Sequence, residues 1–320
     1  MRPDTVVRTA PSAPVRRTAA AVAGVGVRLP GAAGLAELLA PSGPRTFAQE
    51  APEHAHALAA ATAALGATSC RAAGAPGATA TVWATSTAGL ADYAQTCADI
   101  PVSGPTRVSP RRTAHSAFTA PATELSVRLG LDGPYLNVTG GRDAGAHAVT
   151  EAIRMLTRRR CERVVVGGSA EASAWRSGPD GDPAEGALCL VLRPEAPGHR
   201  ATTLRPVLRA RWTRGGIDAL VRSCLARMDG PANGMVLSAS AADAPAPDAL
   251  APLSLATPLR VEDELGDLGA AGGVAALIAA VARTADHSTS QRRGPRVLAL
   301  ALGNGNAVAL EATSPRKDPR

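Results

Sequence analysis

Two rhythms of apolar and polar residues run through the chain. Short, unbroken apolar runs bounded by Arg, Gly or Pro occur at 19–27 (AAAVAGVGV), 79–86 (TATVWATS), 162–168 (ERVVVGG), 186–193 (GALCLVLR), 234–239 (GMVLSA) and 296–302 (RVLALAL). Runs of that length without alternation predict strands buried on both faces. Strands at 135–139, 204–211 and 306–312 complete the set. Between them, helical patterns cover 53–66, 87–98, 116–130, 143–159, 216–229 and 269–284, the first stopping at Gly66. Strands alternating with helices predict an α/β layered protein with mixed sheets. The order of elements in 18–195 returns, more briefly, in 200–313, so the two stretches read as structural copies. Residues 1–17, rich in Pro, Arg and Thr, predict a loose arm. Segments 178–184, 194–200 and 243–252 predict loops, with 194–200 as the hinge between the copies.

Composition narrows this picture. Hydrophobic residues make up 45% of the chain and aromatics only 2%, so Ala, Val and Leu must do the packing. A net charge of +7 favours an anionic partner. Nucleic acid fits poorly, because the Arg residues are scattered and aromatics for base stacking are few. The densest cluster, Arg158-Arg159-Arg160, stands where a helix should end and suits the helix dipole there. No apolar run reaches membrane-spanning length, which predicts no membrane association. Cys70, Cys97, Cys161, Cys189 and Cys224 are odd in number and widely spaced, which suggests no disulfide framework and a cytoplasmic setting. Arg16-Arg17 faintly resembles an export signal, but Arg28 and Pro30 cut the apolar stretch short.

Familiar chemical motifs are missing or misplaced. Gly24 and Gly26 follow a strand, yet the third glycine comes only at Gly31 and no acidic residue closes a second strand. His54 and His56 point to different helix faces, and the other histidines lack partners at metal-ligand spacing. No cofactor and no metal are expected.

The informative stretch is 109–175. Gly130-Leu-Asp-Gly133-Pro134 leads to a strand, then to Gly140-Gly141-Arg142 opening a helix, then to a strand ending Val166-Gly167-Gly168 with Glu171 nearby. This order resembles the heart of the β-ketoacyl synthases. Residues 22–31, Ala184-Glu185-Gly186-Ala187, Gly266–Gly272 and Leu302-Gly303-Asn304-Gly305-Asn306 extend the resemblance over most of the chain. It implies a thiolase-like fold with five α/β/α/β/α layers and two pseudo-repeated halves.

The same resemblance places the family's nucleophilic Cys on Arg142. The segment of its first catalytic His becomes 236–240, with Ser238. Its second His falls on Asp267 and its Lys on Glu262, although a one-residue shortening leaves both assignments open. A guanidinium is no nucleophile, and no His or Lys occurs from 200 to 286. The resemblance therefore implies a non-condensing subunit of the chain-length-factor type. Its expected partners are an active ketosynthase in type II polyketide or fatty-acid assembly and an acyl carrier protein.

Val138 and Ala144 are candidate interface positions. Arg142 reads either as drift or as a charged gate that pairs with Asp143, Asp267 or a partner. Gly140 and Gly141 could offer N–H groups to an anion. Two further readings stand: a thiolase-fold enzyme of altered chemistry (acyl transfer, hydrolysis, dehydration or isomerisation), using Asp143, His147, Glu124, His115, Ser238 or Asp267; and a module that binds a carrier protein or acyl chain.

Overall fold

The structure is a computed structural model that describes residues 18–29, 52–67, 79–172, 183–196, 201–213, 216–245, 250, 258–286 and 294–315. The arm 1–17, Cys70 and the loop segments 178–182, 197–200, 246–249 and 251–252 lie outside these residues. No helix among the described residues is long and apolar enough to cross a membrane.

The first half runs β1 (Ala20–Arg28), α1 (Pro52–Gly66), β2 (Thr79–Thr85), α2 (Leu90–Ser103), α3 (Pro110–His115), α4 (Ala120–Leu129), β3 (Tyr135–Thr139), α5 (Asp143–Thr157), β4 (Arg163–Ala170) and β5 (Gly186–Pro194). The second runs β6 (Thr203–Arg211), α6 (Ile217–Leu225), β7 (Gly234–Ser238), β8 (Leu259–Arg260), α7 (Val261–Leu265), α8 (Gly272–Asp286), β9 (Arg296–Gly303) and β10 (Asn306–Thr313).

The strand order is β3-β2-β4-β5-β1-β6-β10-β9-β7-β8. Each half contributes five strands, and the two orders are copies related through the central joint. β2 lies parallel to β3 and β4, with β5 antiparallel between β4 and β1. In the same way β7 lies parallel to β8 and β9, with β10 antiparallel between β9 and β6. The joint itself is brief: Ala20 opposite Leu204 and Ala21 opposite Thr203.

Side chains alternate between two buried faces, as the period of a strand requires. In β5, Leu188, Leu190 and Leu192 face the central core, while Ala187, Cys189 and Val191 face α1 and α4. In β9, Val297, Ala299 and Ala301 face the centre, while Leu298, Leu300 and Leu302 face α6. The layers are therefore α1 with α4, the first half-sheet, α5 with α8, the second half-sheet, and α6.

The central helices explain the shortage of aromatics. A β-carbon on Gly145 of α5 would stand 2.5 Å from the Ala270 carbonyl oxygen, and one on Gly273 of α8 would stand 2.7 Å from that of Arg142. The two backbones touch, which only glycine permits.

Several boundaries differ from the sequence expectation. α2 runs past 98 to Ser103 despite Pro101, because the proline sits in the exposed last turn. The stretch 116–130 holds a turn before α4, and the short α3 was not foreseen. β8, two residues long, carries no periodic signal.

Candidate active-site position

α5 opens from a Gly-Gly-Arg loop. Arg142 is its N-cap residue, with a backbone already helical and no side-chain cap hydrogen bond. A cation at a helix N-terminus opposes the helix dipole, so this position needs carboxylates. They come from the other half. Arg142 Nη2 lies 3.0 Å from Asp267 Oδ2, and Nε lies 3.8 Å from Glu262 Oε1.

Both acids are held in turn. Ser238 Oγ, at the end of β7, donates to Glu262 Oε1 at 2.6 Å, and the Ala239 N–H donates to Oε2 at 3.2 Å. The Gly269 N–H donates to Asp267 Oδ1 at 2.8 Å. Gly272, opening α8, leaves the room: a β-carbon there would stand 2.6 Å from Ser238 Oγ and 3.2 Å from Glu262 Oε1. Burial pushes the Glu262 carboxyl above its ordinary range, against the pull of Ser238, the backbone N–H groups and Arg142. Arg142, Ser238, Glu262 and Asp267, four positions scattered over both halves, thus meet at the N-terminal ends of the two central helices.

The third wall is the turn between β9 and β10. Gly303 pairs with Asn306, so only Asn304 and Gly305 connect the strands. Their φ angles of 51° and 72° are left-handed, as a two-residue type I′ hairpin requires. A β-carbon on Gly303 would stand 2.5 Å from Asp143 Oδ1, and one on Gly141 would stand 3.0 Å from Asn304 Nδ2.

The remaining predicted residues do not join the ion-paired cluster. Asp143 Oδ1 is buried with no hydrogen-bond partner among the described residues. Burial raises this carboxyl, opposed by its own backbone N–H and by Arg209. His147 does not bond Asp143; its Nε2 lies 3.3 Å from Glu151 Oε1. Burial and then Arg209 lower its pKa, with Glu151 opposing. His115 and Glu124 meet at 3.2 Å on the far side of the first half-sheet. The candidates for altered chemistry therefore fall into three separate places.

Two expectations need correction. Ala144 is 2% exposed and belongs to the central core, so it is no interface position; its helix turn faces inward. The Gly140 N–H is donated to the Thr85 carbonyl at 3.2 Å, which removes one of the two donors expected to greet an anion. Val138 stays half-buried on the edge strand β3.

Sequence reading also missed contacts. His54, set aside as a poor metal ligand, packs edge-on against His115 with ring centroids 5.2 Å apart. Next to it, Glu53 accepts from Thr85 Oγ1 and Ser169 Oγ, each at 2.7 Å, and Trp83 Nε1 donates to Ser169. Nothing in local spacing announces either contact. No group of three His, Cys, Asp or Glu residues able to hold a metal occurs among the described residues.

Comparison with known proteins decides the family. Residues 9–178 match the model of the beta-ketoacyl synthase N-terminal domain. The chain belongs to the β-ketoacyl synthase family. Among curated proteins no sequence matches it. Among solved structures, this ketoacyl synthase family member is similar to the ishigamide ketosynthase/chain length factor, with 21% identity, a TM-score of 0.73, and 94% of this chain and 100% of that one covered. It is also similar to a type II PKS acyl-carrier protein in complex with its ketosynthase bound to the hexaketide, with 14% identity, a TM-score of 0.74 and coverage of 93% and 100%. A beta-ketoacyl synthase from Burkholderia phymatum gives 14% identity, a TM-score of 0.63 and coverage of 94% and 100%. At these identities the likeness speaks for the fold, which is the thiolase-like fold of the ketosynthases.

Proposed function

We propose that this ketosynthase-like chain is a non-condensing subunit of the chain-length-factor type, which pairs with an active ketosynthase and serves acyl chains borne on a carrier protein in type II polyketide or fatty-acid assembly. The supporting observation is the ion-paired cluster at the N-terminus of α5. Condensation needs a thiolate at that helix end, where the dipole lowers a thiol's pKa. Arg142 stands there instead, engaged by Asp267 and Glu262. No imidazole of the described residues lies in the cluster to assist decarboxylation or to stabilise an oxyanion. The described cysteines offer no substitute: Cys161, Cys189 and Cys224 are buried and Cys97 is on α2. Burial raises Cys161 and Cys189, and pushes Cys224 up to about 12.

Pairing is supported by the outer edge of β3, which has no strand beside it among the described residues. Tyr135 at the start of β3 is 57% exposed, and Phe118 and Val127 nearby in the chain are exposed too. An open edge with apolar neighbours is normally covered in a stable protein.

The test is twofold. The purified chain with acyl and malonyl carrier proteins should give no condensation product above background, and Arg142→Cys alone should not restore it. Co-expressed with an active type II ketosynthase, the chain should co-purify as a dimer burying on the order of 2,000 Å², and Val138→Asp should split that dimer. Condensation by the chain alone, or a stable monomer that never co-purifies, would sink the proposal.

A further inference from the structure

The residues from Leu90 to Thr119 form a segment of α2, α3 and the turns around them in which no described residue is buried. Such a segment contributes little to the core and must be fastened by particular contacts. Two lie at its far end. Gly89, with φ 71°, sits against the backbone of His115 and Ser116: a β-carbon there would meet both at 2.4 Å. The His115 ring packs on the ring of His54, and its Nε2 lies 3.2 Å from Glu124 Oε1. His54 is 3% exposed, and neither ring nitrogen has a hydrogen-bond partner among the described residues. Its site suits a neutral imidazole and gives no welcome to a cation.

The ionisable groups around His54 have other engagements. On its own helix, Glu53 Oε1 accepts from Thr85 and Ser169, and His56 faces Glu185 at 3.9 Å, with Arg28 of β1 acting on His56. On α4, Glu124 serves His115 and Arg128. Cys189 of β5 and Glu171 after β4 are buried in the same half.

We propose that His54 and His115 form a proton-sensitive latch that fastens the segment 90–119 to the first half and releases it when His54 takes up a proton. The direction of His54 titration agrees: burial, and then the neighbouring His115, lower its pKa to about 4. Opening returns it to about 6.5. Release is therefore favoured as pH falls below about 6.5 and gains nothing further below about 4. At about pH 5 the opening equilibrium rises about twentyfold over its value at neutral pH. The released segment carries Tyr93, Ile100, Val102 and Phe118, all already exposed, so the latch governs how that apolar surface is presented.

Deuterium exchange of peptides spanning 90–119, corrected for the intrinsic effect of pH, tests this on the full chain. The wild type should exchange about twentyfold faster at about pH 5 than at neutral pH in this segment, with the β-strands unchanged. His54→Phe should remove the dependence. An unchanged rate, a rise spread evenly over the sheet, or the same dependence in His54→Phe overturns the latch. Should that variant fail to fold, the wild type's His54 ring signal is followed by NMR. Its titration midpoint must coincide with that of the segment's exchange, and separate midpoints overturn the proposal equally.

Discussion

Among the described residues, two buried ion-paired clusters differ in what they join. On the outer face of the second half, Glu311 of β10 stands opposite Arg205 of β6 and accepts from it, with Arg205 Nε at 3.0 Å. Arg296 of β9 donates to the other oxygen. Two cations and this buried acid link three adjacent strands through the register of the sheet, with Asp229 at 3.8 Å from Arg205 at the rim. The cluster around Arg142 gathers two acids on a single cation. It draws on positions 142, 238, 262 and 267; pairing of Leu237 with Arg260 brings Ser238 near Glu262, but no strand register reaches Arg142. The first is a staple within one half. The second ties the halves together at the N-terminal ends of the two central helices. A buried ion pair is poor evidence of stabilisation in itself, so its location, more than its strength, carries the functional meaning.

The comparison can be broken experimentally. Glu311→Ala should have the largest effect. Glu311 is 1% exposed, and removing the acid takes the buried partner from two guanidinium groups, leaving Arg205 with Asp229 and the Arg227 carbonyl, at a cost of about 3–5 kcal/mol in denaturant unfolding. Those groups keep their charge at every accessible pH, so the deficit should be flat from about pH 5 to about pH 8.

Arg142→Ala should cost less, about 1–3 kcal/mol, and the cost should depend on pH. Glu262 already has a raised pKa in the folded state, and Arg142 is one of the groups that lower it. Without Arg142 the folded chain holds that proton over a wider range than the unfolded chain. Stability then falls as pH rises through the window above the ordinary glutamate value. Chemical denaturation at several pH values should show the smallest deficit on the acid side. An equal deficit at every pH would mean that the two clusters are the same kind of staple.

Glu262→Gln should have the smallest effect, within about 1 kcal/mol, because it removes a costly buried charge together with a partner. It should also flatten the pH dependence above the glutamate range.

The sequence made one part of this legible and left another hidden. The buried strands could be read directly, because Leu188–Leu192 and Val297–Leu302 are apolar on both faces and so appear as unbroken runs. The cluster at Arg142 was legible only through the order of family motifs, since its members are brought together by the packing of α5 on α8. The contact between His54 and His115 was invisible. It depends on how a helix early in the chain meets a short helix far downstream, and each histidine alone looks like an ordinary core residue. Ala144 misled for a related reason: it is two residues beyond Arg142, but helix rotation turns it into the core.

The glycine contacts between α5 and α8 have a mechanical consequence. Where side chains separate two helices, small rotamer changes let one slide along the other. Here Gly145 abuts the backbone of Ala270 and Val274, and Gly273 abuts that of Arg142 and Ala146, with no long side chain to act as a lubricant. The waist of the molecule is therefore stiff against shear. Arg142, anchored at one end of that crossing, moves only if the halves rotate as blocks or its own side chain swings.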